Sequence, residues 1–219
     1  VGLRKLRQFQ DLGHTVVLIV GDYTAMVGDP TDRSSTRPRL TPEQVEDNAR
    51  TYLEQFFRIL DRERTEVRRN GDWFAAMPFD KVMDLAARFT VARMLERDDF
   101  SRRFKEQRPI SLHEMFYPIM QGYDSVEIRS DVELGATEQK FNLLVGRQLQ
   151  QGFGQEPQVI LTLPILVGLD GVNRMSKSLG NYVGITDPPS MMFGKLMSLP
   201  DDRMLDYFTL ASDATIGEL

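Results

Sequence analysis

Apolar positions along this chain follow two rhythms. Leu3, Leu6, Phe9 and Leu12 keep helical spacing, and Gly13 stands where a helix stops. Residues 15–20 then run almost wholly apolar, the pattern of a parallel strand covered on both faces. Gly21, Gly28 and Pro30 punctuate the long loop that follows. Thr41, Pro42 and Gln44 make a capping box with proline at the first helical position, and Val45, Ala49, Tyr52, Leu53, Phe56 and Leu60 continue as one apolar stripe. Helix, strand, long loop, helix is the order of an open parallel α/β sheet. Residues 79–108 read as helical and heavily charged, with Val82, Leu85, Phe89 and Met94 as the apolar positions. A second capping box, Ser111 to Glu114, starts another helix, which Pro118 should kink. A short strand near 131–134 leads through Gly135 into a helix with Phe141, Leu144, Val145 and Leu149 on one side. Residues 159–163 read as a buried strand, and 188–219 as mostly helical.

Composition narrows the classes. The chain has 219 residues, 41% of them hydrophobic, enough for a sizeable core in one or two domains. No apolar run is long enough to span a bilayer, no signal segment opens the chain, and there is no cysteine; together these fit a soluble protein of a reducing cytoplasm. With only His14 and His113, a zinc site is not expected, and no residue stands out as a metal ligand. A net charge of -5 argues against a generic polyanion-binding surface. Arg62, Arg64, Arg68 and Arg69, interleaved with Asp61, Glu63 and Glu66, read as a salt-bridged surface.

Four stretches could carry chemistry. Arg174, Met175, Ser176, Lys177 and Ser178 place two cations and two hydroxyls in a loop behind a buried strand, where a mobile loop can fold over a polyphosphate. Tyr117, Gln121 and Asp124, at i, i+4 and i+7, form a polar stripe on an otherwise apolar helix, a slot for a zwitterion with a polar tip. Gly28, Asp29 and Pro30 follow the first strand, at the end where ligands bind in such sheets, with Arg33 and Arg37 within reach of a phosphate tail. Gly135, Ala136, Thr137, Glu138 and Gln139 form a strand-to-helix turn whose amides attract anions, with Thr137 as a simple helix cap the competing account. Each has a plain structural alternative: a solvated loop, a self-satisfied polar helix, a turn, a cap.

Taken together, these segments resemble the bacterial tyrosyl-tRNA synthetases, a class I aminoacyl-tRNA synthetase family, along essentially all 219 residues. The resemblance implies a Rossmann-like parallel-sheet catalytic domain with a helical insertion, incomplete at both ends. Its first half would be 1–78, the insertion with the amino-acid-binding helix 79–130, the second half with the cationic loop 131–186, and a linker with the start of a helical C-terminal domain 187–219. It further implies that Asp29, Tyr117 and Gln121 hold the substrate ammonium, that Asp124 accepts from the phenol, and that Gln139 faces the carboxylate. Gly135 and Glu138 would hold the ribose, and Lys177, Arg174 and Ser178 would close over ATP, assisted by Arg33 and Arg37. The implied reactants are L-tyrosine, ATP with Mg²⁺ on its phosphates, and tRNA(Tyr), in a homodimer with no membrane contact. Departures are Arg174 where the family begins its loop with lysine, and Ala136 and Glu138 where it has glycine and aspartate. The family's His-x-Gly-His segment is expected just before Val1 and its tRNA-reading region past Leu219, so the isolated segment is expected to be inactive. The rival readings are tryptophanyl-tRNA synthetase, whose indole has no hydroxyl for Asp124, and a non-catalytic synthetase-like RNA-binding protein.

Overall fold

Among the described residues, four parallel strands form in two pairs, and helices from both halves of the chain pack around them. The computed structural model describes residues 1–27 and 41–218. Helix α1 (Gly2–Asp11) leads into β1 (Val16–Val20), α2 (Asp22–Val27) and α3 (Pro42–Phe56). Strand β2 (Thr65–Arg69) pairs in parallel with β1, Val16 opposite Thr65 and Val20 opposite Arg69. Short α4 (Gly71–Phe74), α5 (Phe79–Ala86), α6 (Val91–Met94) and α7 (Asp98–Lys105) precede the long α8 (Leu112–Ile128). The second strand pair, β3 (Val132–Ala136) and β4 (Val159–Leu163), is joined by α9 (Lys140–Gly152), and α10 (Pro189–Met197) and α11 (Met204–Ala211) follow.

Three strands and the main helices lie where the apolar pattern puts them. Both capping boxes form, Thr41 with Gln44 and Ser111 with Glu114. Three local readings change. Residues 22–27, expected in a loop, form α2. The charged run 65–69, expected as surface, is strand β2 with a largely exposed face. Its charges are nonetheless paired, Arg69 with Glu46 at 2.7 Å and with Asp22 at 3.7 Å. Helix α8 continues through Pro118 as one element, and Pro118 is fully buried.

A buried glutamine explains β2. Gln10 of α1 donates to the carbonyls of Asp61 (3.0 Å) and Arg64 (3.1 Å) and to Thr65 Oγ1 (2.8 Å), and accepts from the Asp61 amide at 2.9 Å. One side chain thus fixes the segment entering β2, where sequence pattern offers little. Burying such a group is tolerated because each of its donors and acceptors is used.

The core joins α4, α5 and α6 to α8 and α9. Phe74, Leu85, Met94, Ile119, Tyr123, Val126, Val145 and Leu149 form one buried cluster. Each such large side chain contributes roughly 1.5–3 kcal/mol when removed from water. Helices α8 and α9 cross at Gly122 and Gly146: a Cβ on Gly122 would stand 2.8 Å from Val145 Cγ1 and 2.9 Å from the Gly146 nitrogen. The edges of β1 and β3 flank a cleft of about 770 Å³, lined by Val16, Leu18, Val132 and Leu134 with Leu6 and Phe9. Among the described residues β1 pairs with β2 alone, and β3 with β4 alone.

Candidate active site

Asp124 sits on the buried side of α8, with 7% of its surface exposed. Trp73 Nε1 donates to one carboxylate oxygen at 2.9 Å and Asn70 Nδ2 to the other at 3.4 Å. Asn70 is itself fully buried, takes the Tyr23 amide at 3.0 Å and donates to Thr24 Oγ1 at 3.2 Å. Burial pushes the Asp124 carboxyl up to about 7; the bonds from Trp73 and Asn70 act against the rise, and Glu133 and Asp22 add to it. The group therefore stands near its ionisation midpoint at neutral pH, a poised acceptor in apolar surroundings. Asn70 and Trp73 are site residues that the motif reading missed. Their only sequence signal is a polar-aromatic pair just past a charged run, which is weak.

One turn earlier, Gln121 accepts from Asn142 Nδ2 of α9 at 2.7 Å. Tyr117, a further turn back, is partly buried. The stripe thus runs along α8 from a phenol, through an amide tied to α9, to the buried carboxylate.

At the end of β3, Gly135 lies opposite Thr162 of β4. Gln139 Oε1 accepts from the Ala136 amide at 3.0 Å, which makes Gln139 the residue that caps this turn. Thr137 instead donates to the Leu163 carbonyl at 3.2 Å, so the capping expected of it falls to its neighbour. A Cβ at Gly135 would lie 3.1 Å from Gln139 Oε1 and 3.0 Å from Leu143, so glycine leaves that amide room. Ala136, the departure from the family's double glycine, is tolerated at the last residue of β3.

The cationic loop meets this turn. Arg174 pairs with Glu138 at 3.3 Å, both about half exposed, which brings two of the sequence-predicted groups together. Lys177 and Ser178 are exposed, and Ser178 Oγ lies 2.8 Å from Ser176 Oγ. Loop shape is set from beneath by two residues without a predicted role. Buried Asn181 accepts from the Ser176 amide at 2.8 Å and donates to Asp170 at 2.9 Å and to the Arg174 carbonyl at 3.1 Å. Asp170 accepts from the Val172 and Asn173 amides and from the Asn173 and Asn181 side chains, which hold its carboxyl at about 2. A Cβ at Gly168 would fall 2.2 Å from Asn181 Nδ2, so only glycine fits there. Helix α11 braces the base through Tyr207, whose hydroxyl donates to the Val167 carbonyl at 2.6 Å. Asn181→Ala removes the acceptor of the Ser176 amide, so that amide should exchange with solvent about tenfold faster. Native-state hydrogen exchange reads this directly; unchanged protection at Ser176 would mean that Asn181 does not hold the loop.

Asp29, Arg33 and Arg37 lie outside the described residues. The other nine candidates fall on α8, on the β3–α9 turn, or on the loop after β4.

Solved structures place this architecture among the class I synthetase catalytic domains. Tyrosyl-tRNA synthetase from Archaeoglobus fulgidus, solved with L-tyrosine, superposes with a TM-score of 0.72 at 26% identity, covering 90% of this chain and 59% of that one. A tryptophanyl-tRNA synthetase from Campylobacter jejuni shares the fold alone, with a TM-score of 0.64 at 13% identity over 90% of this chain and 61% of that one. The chain belongs to the family of class I tRNA synthetases for tryptophan and tyrosine, whose model matches residues 1–218. Among its relatives, the tyrosine–tRNA ligase of Moorella thermoacetica is 60% identical over 219 residues, all of this chain and 53% of that protein. The tyrosine–tRNA ligase of Thermotoga maritima is 60% identical over 213 residues, 97% of this chain and 53% of that protein. The chain spans about half the length of the curated relatives it matches.

Proposed function

We propose that this chain is catalytic-domain sequence of a tyrosine–tRNA ligase, which activates L-tyrosine with ATP and transfers it to tRNA(Tyr). The observation that carries the reading is Asp124: a buried carboxylate at the end of a polar helix stripe, with a donor on each oxygen and further lone pairs free for a phenolic hydroxyl. Identity near 60% to tyrosine–tRNA ligases supports it, whereas the likeness to a tryptophan enzyme is one of fold alone. The tyrosine reading also accounts for the stripe as a whole, since an indole offers no hydroxyl to the carboxylate.

In this reading Tyr117 and Gln121, with Asp29, receive the substrate ammonium, and Gln139 faces the carboxylate. That carboxylate attacks the α-phosphate of ATP, the bond to the β-phosphate oxygen breaks, and pyrophosphate leaves with the electron pair. Tyrosyl-adenylate then gives its acyl group to the tRNA 3′ end. Gly135 and Glu138 hold the ribose. Lys177, Arg174 and Ser178, with Arg33 and Arg37, compensate the charge that builds on the departing pyrophosphate. Catalysis is by positioning and electrostatics rather than by a covalent enzyme intermediate. Mg²⁺ rides on the ATP phosphates; among the described residues no three metal-ligating side chains come together. Arg174 pairs with Glu138, which links the cationic loop to the proposed ribose site.

Among the described residues the cleft between β1 and β3 has two unpaired parallel edges, the shape that a further parallel strand fills. The family's upstream strand, which leads to His-x-Gly-His, is the proposed occupant. On that basis the activity belongs to the longer protein, and the 219 residues by themselves are inactive. The reading extends to a cytoplasmic homodimer joined through the insertion, with domain limits at 78, 130 and 186.

The test is amino-acid-dependent ATP–pyrophosphate exchange, on a protein extended at both ends to the relatives' length. Exchange is expected with tyrosine and not with tryptophan or phenylalanine. Exchange driven by tryptophan would replace the substrate, and folded protein that exchanges with no amino acid would support the non-catalytic reading.

A further inference from the structure

The cationic loop hangs from a rung of antiparallel backbone, Val167 opposite Arg174. The bonds on either side of this rung run from the Gly168 amide to the Asn173 carbonyl at 2.7 Å and from the Met175 amide to the Leu166 carbonyl at 2.8 Å. Val167 and Arg174 are therefore a non-hydrogen-bonded pair, and their own carbonyls point outward, away from each other. Such carbonyls need water or an outside donor.

Both find a donor on the protein. The Tyr207 hydroxyl donates to the Val167 carbonyl at 2.6 Å, and Asn181 Nδ2 donates to the Arg174 carbonyl at 3.1 Å. The rung is thus clamped at both ends, from α11 on one side and by the residue that closes the loop on the other. Both clamps are buried, Tyr207 at 8% exposure and Asn181 at 6%. Lys177 and Ser178 follow directly after the clamped rung, so its position sets where they start from.

Helix α11 also holds the tip of this hairpin. Arg203, the N-cap residue of α11, stands one turn before Tyr207 and so on the same face. Its Nε donates to the Gly171 carbonyl at 3.2 Å. Gly171 has a φ of +72°, and a Cβ there would lie 2.9 Å from Pro200 Cγ, so glycine lets the tip rest against the chain entering α11. Two donors a turn apart meet two carbonyls four residues apart. Filling space would not require the Tyr207 hydroxyl, because a phenylalanine ring has nearly the same shape. A buried hydroxyl costs free energy unless it is bonded, and this one spends its bond on the rung that carries Arg174. Burial, and then the Asp170 carboxylate, raise the Tyr207 phenol above its ordinary value, so it remains a donor throughout the neutral range.

We infer that Tyr207 is a positioning residue for the ATP step: through the Val167 carbonyl it sets the Val167–Arg174 rung, and with it the place from which Lys177 and Ser178 reach the triphosphate. The inference rests on the tyrosine–tRNA ligase reading and adds to it a residue from a helix outside the sheet.

Tyr207→Phe removes the hydroxyl and keeps the ring. On a protein extended to the relatives' length, pyrophosphate exchange gives KM for ATP, and calorimetric titration gives the Kd of L-tyrosine alone. Y207F should raise KM for ATP about fivefold to tenfold, the worth of one hydrogen bond, and leave the tyrosine Kd within twofold, because Gln121 and Asp124 lie on α8. Native-state hydrogen exchange gives a reading independent of catalysis: the Gly168 and Met175 amides should exchange about fivefold faster. Arg203→Met cuts the bond at the tip and should raise KM for ATP by a smaller factor, which covers the case that Y207F does not fold. Parallel weakening of ATP and tyrosine would reduce Tyr207 to general stability and overturn the inference. An unchanged KM for ATP in folded Y207F, or in R203M where Y207F does not fold, would overturn it as well. So would a raised KM with unchanged protection at both amides, since the rung would not have moved. Wild type without tyrosine-dependent exchange would instead remove the tyrosine reading, and the inference with it.

Discussion

Asp124→Asn should cost the enzyme its selection of tyrosine over phenylalanine and at the same time make the unliganded protein more stable above pH 7. Both effects follow from one buried carboxylate. On the proposed reading, a phenylalanine would leave Asp124 without a phenolic hydroxyl to accept from, and that loss would be the origin of discrimination. An asparagine keeps an oxygen for Trp73 but turns an NH₂ toward Asn70, whose own oxygen is taken by the Tyr23 amide. The substituted group is no longer a double acceptor, so tyrosine loses its advantage. Pyrophosphate exchange with the two amino acids, compared as kcat/KM, measures it; a D124N enzyme as selective as wild type would sink the assignment.

The stability half has a definite sign. The folded-state carboxyl is raised to about 7, above its unfolded value, so the folded protein holds this proton more tightly. Its contribution to stability is fully present below about pH 4, the unfolded value, and is lost as pH rises through 7. At pH 8 the ionised group opposes folding by up to roughly 4 kcal/mol, the Trp73 and Asn70 bonds being already included in the folded-state value. D124N is free of this cost. Its melting temperature should exceed that of wild type at pH 8, and the gap should close as pH falls toward 4. A constant gap across that range would show that Asp124 does not titrate near neutrality. Function retained at the expense of stability is the usual trade at a binding site.

Gly122→Val is expected to be the most damaging single change to the fold. The added atoms would meet Val145 and the Gly146 nitrogen at under 3 Å, and Gly146 is backbone of α9 that cannot swing aside. The α8–α9 crossing must open, and the cluster of Tyr123, Val126, Val145 and Leu149 opens with it. Overpacking of this kind costs typically 1–3 kcal/mol and more when backbone must move, a fall in Tm of about 10 °C or failure to fold. Gly194→Ala in α10 is the matched control. Nothing lies within 4 Å of a Cβ there, so the change should be neutral or gain up to about 1 kcal/mol from helix propensity. Thermal melts of both variants decide the matter, and a G122V protein that melts with wild type would show that the crossing is not tight. Because Gln121, Tyr123 and Asp124 surround Gly122, the same close approach that packs the core also places the stripe.

Local signals were strong wherever the information was local. The two capping boxes, the apolar runs of β1 and β4, and the spacing of Tyr117, Gln121 and Asp124 are each written within a few residues, and each formed. Strand β2 was not legible, because Thr65–Arg69 has neither alternation nor an apolar run; Gln10 and the free edge of β1 make it a strand. Nor did sequence reveal that Asn70 and Trp73 meet Asp124, which lies 54 and 51 residues further along.

The sequence by itself thus determined most element types, though not α2 or β2, together with the chemistry available and the family, since these reside in short spans of residues and their order. Tertiary structure decided which polar groups are desolvated and who their partners are. It set the Asp124 carboxyl near 7, turned Thr137 away from the cap that Gln139 supplies, and tied Gln121 to Asn142. The physical reason is that burial and hydrogen-bond geometry depend on residues distant in the chain, and their energies exist only once those residues are packed together.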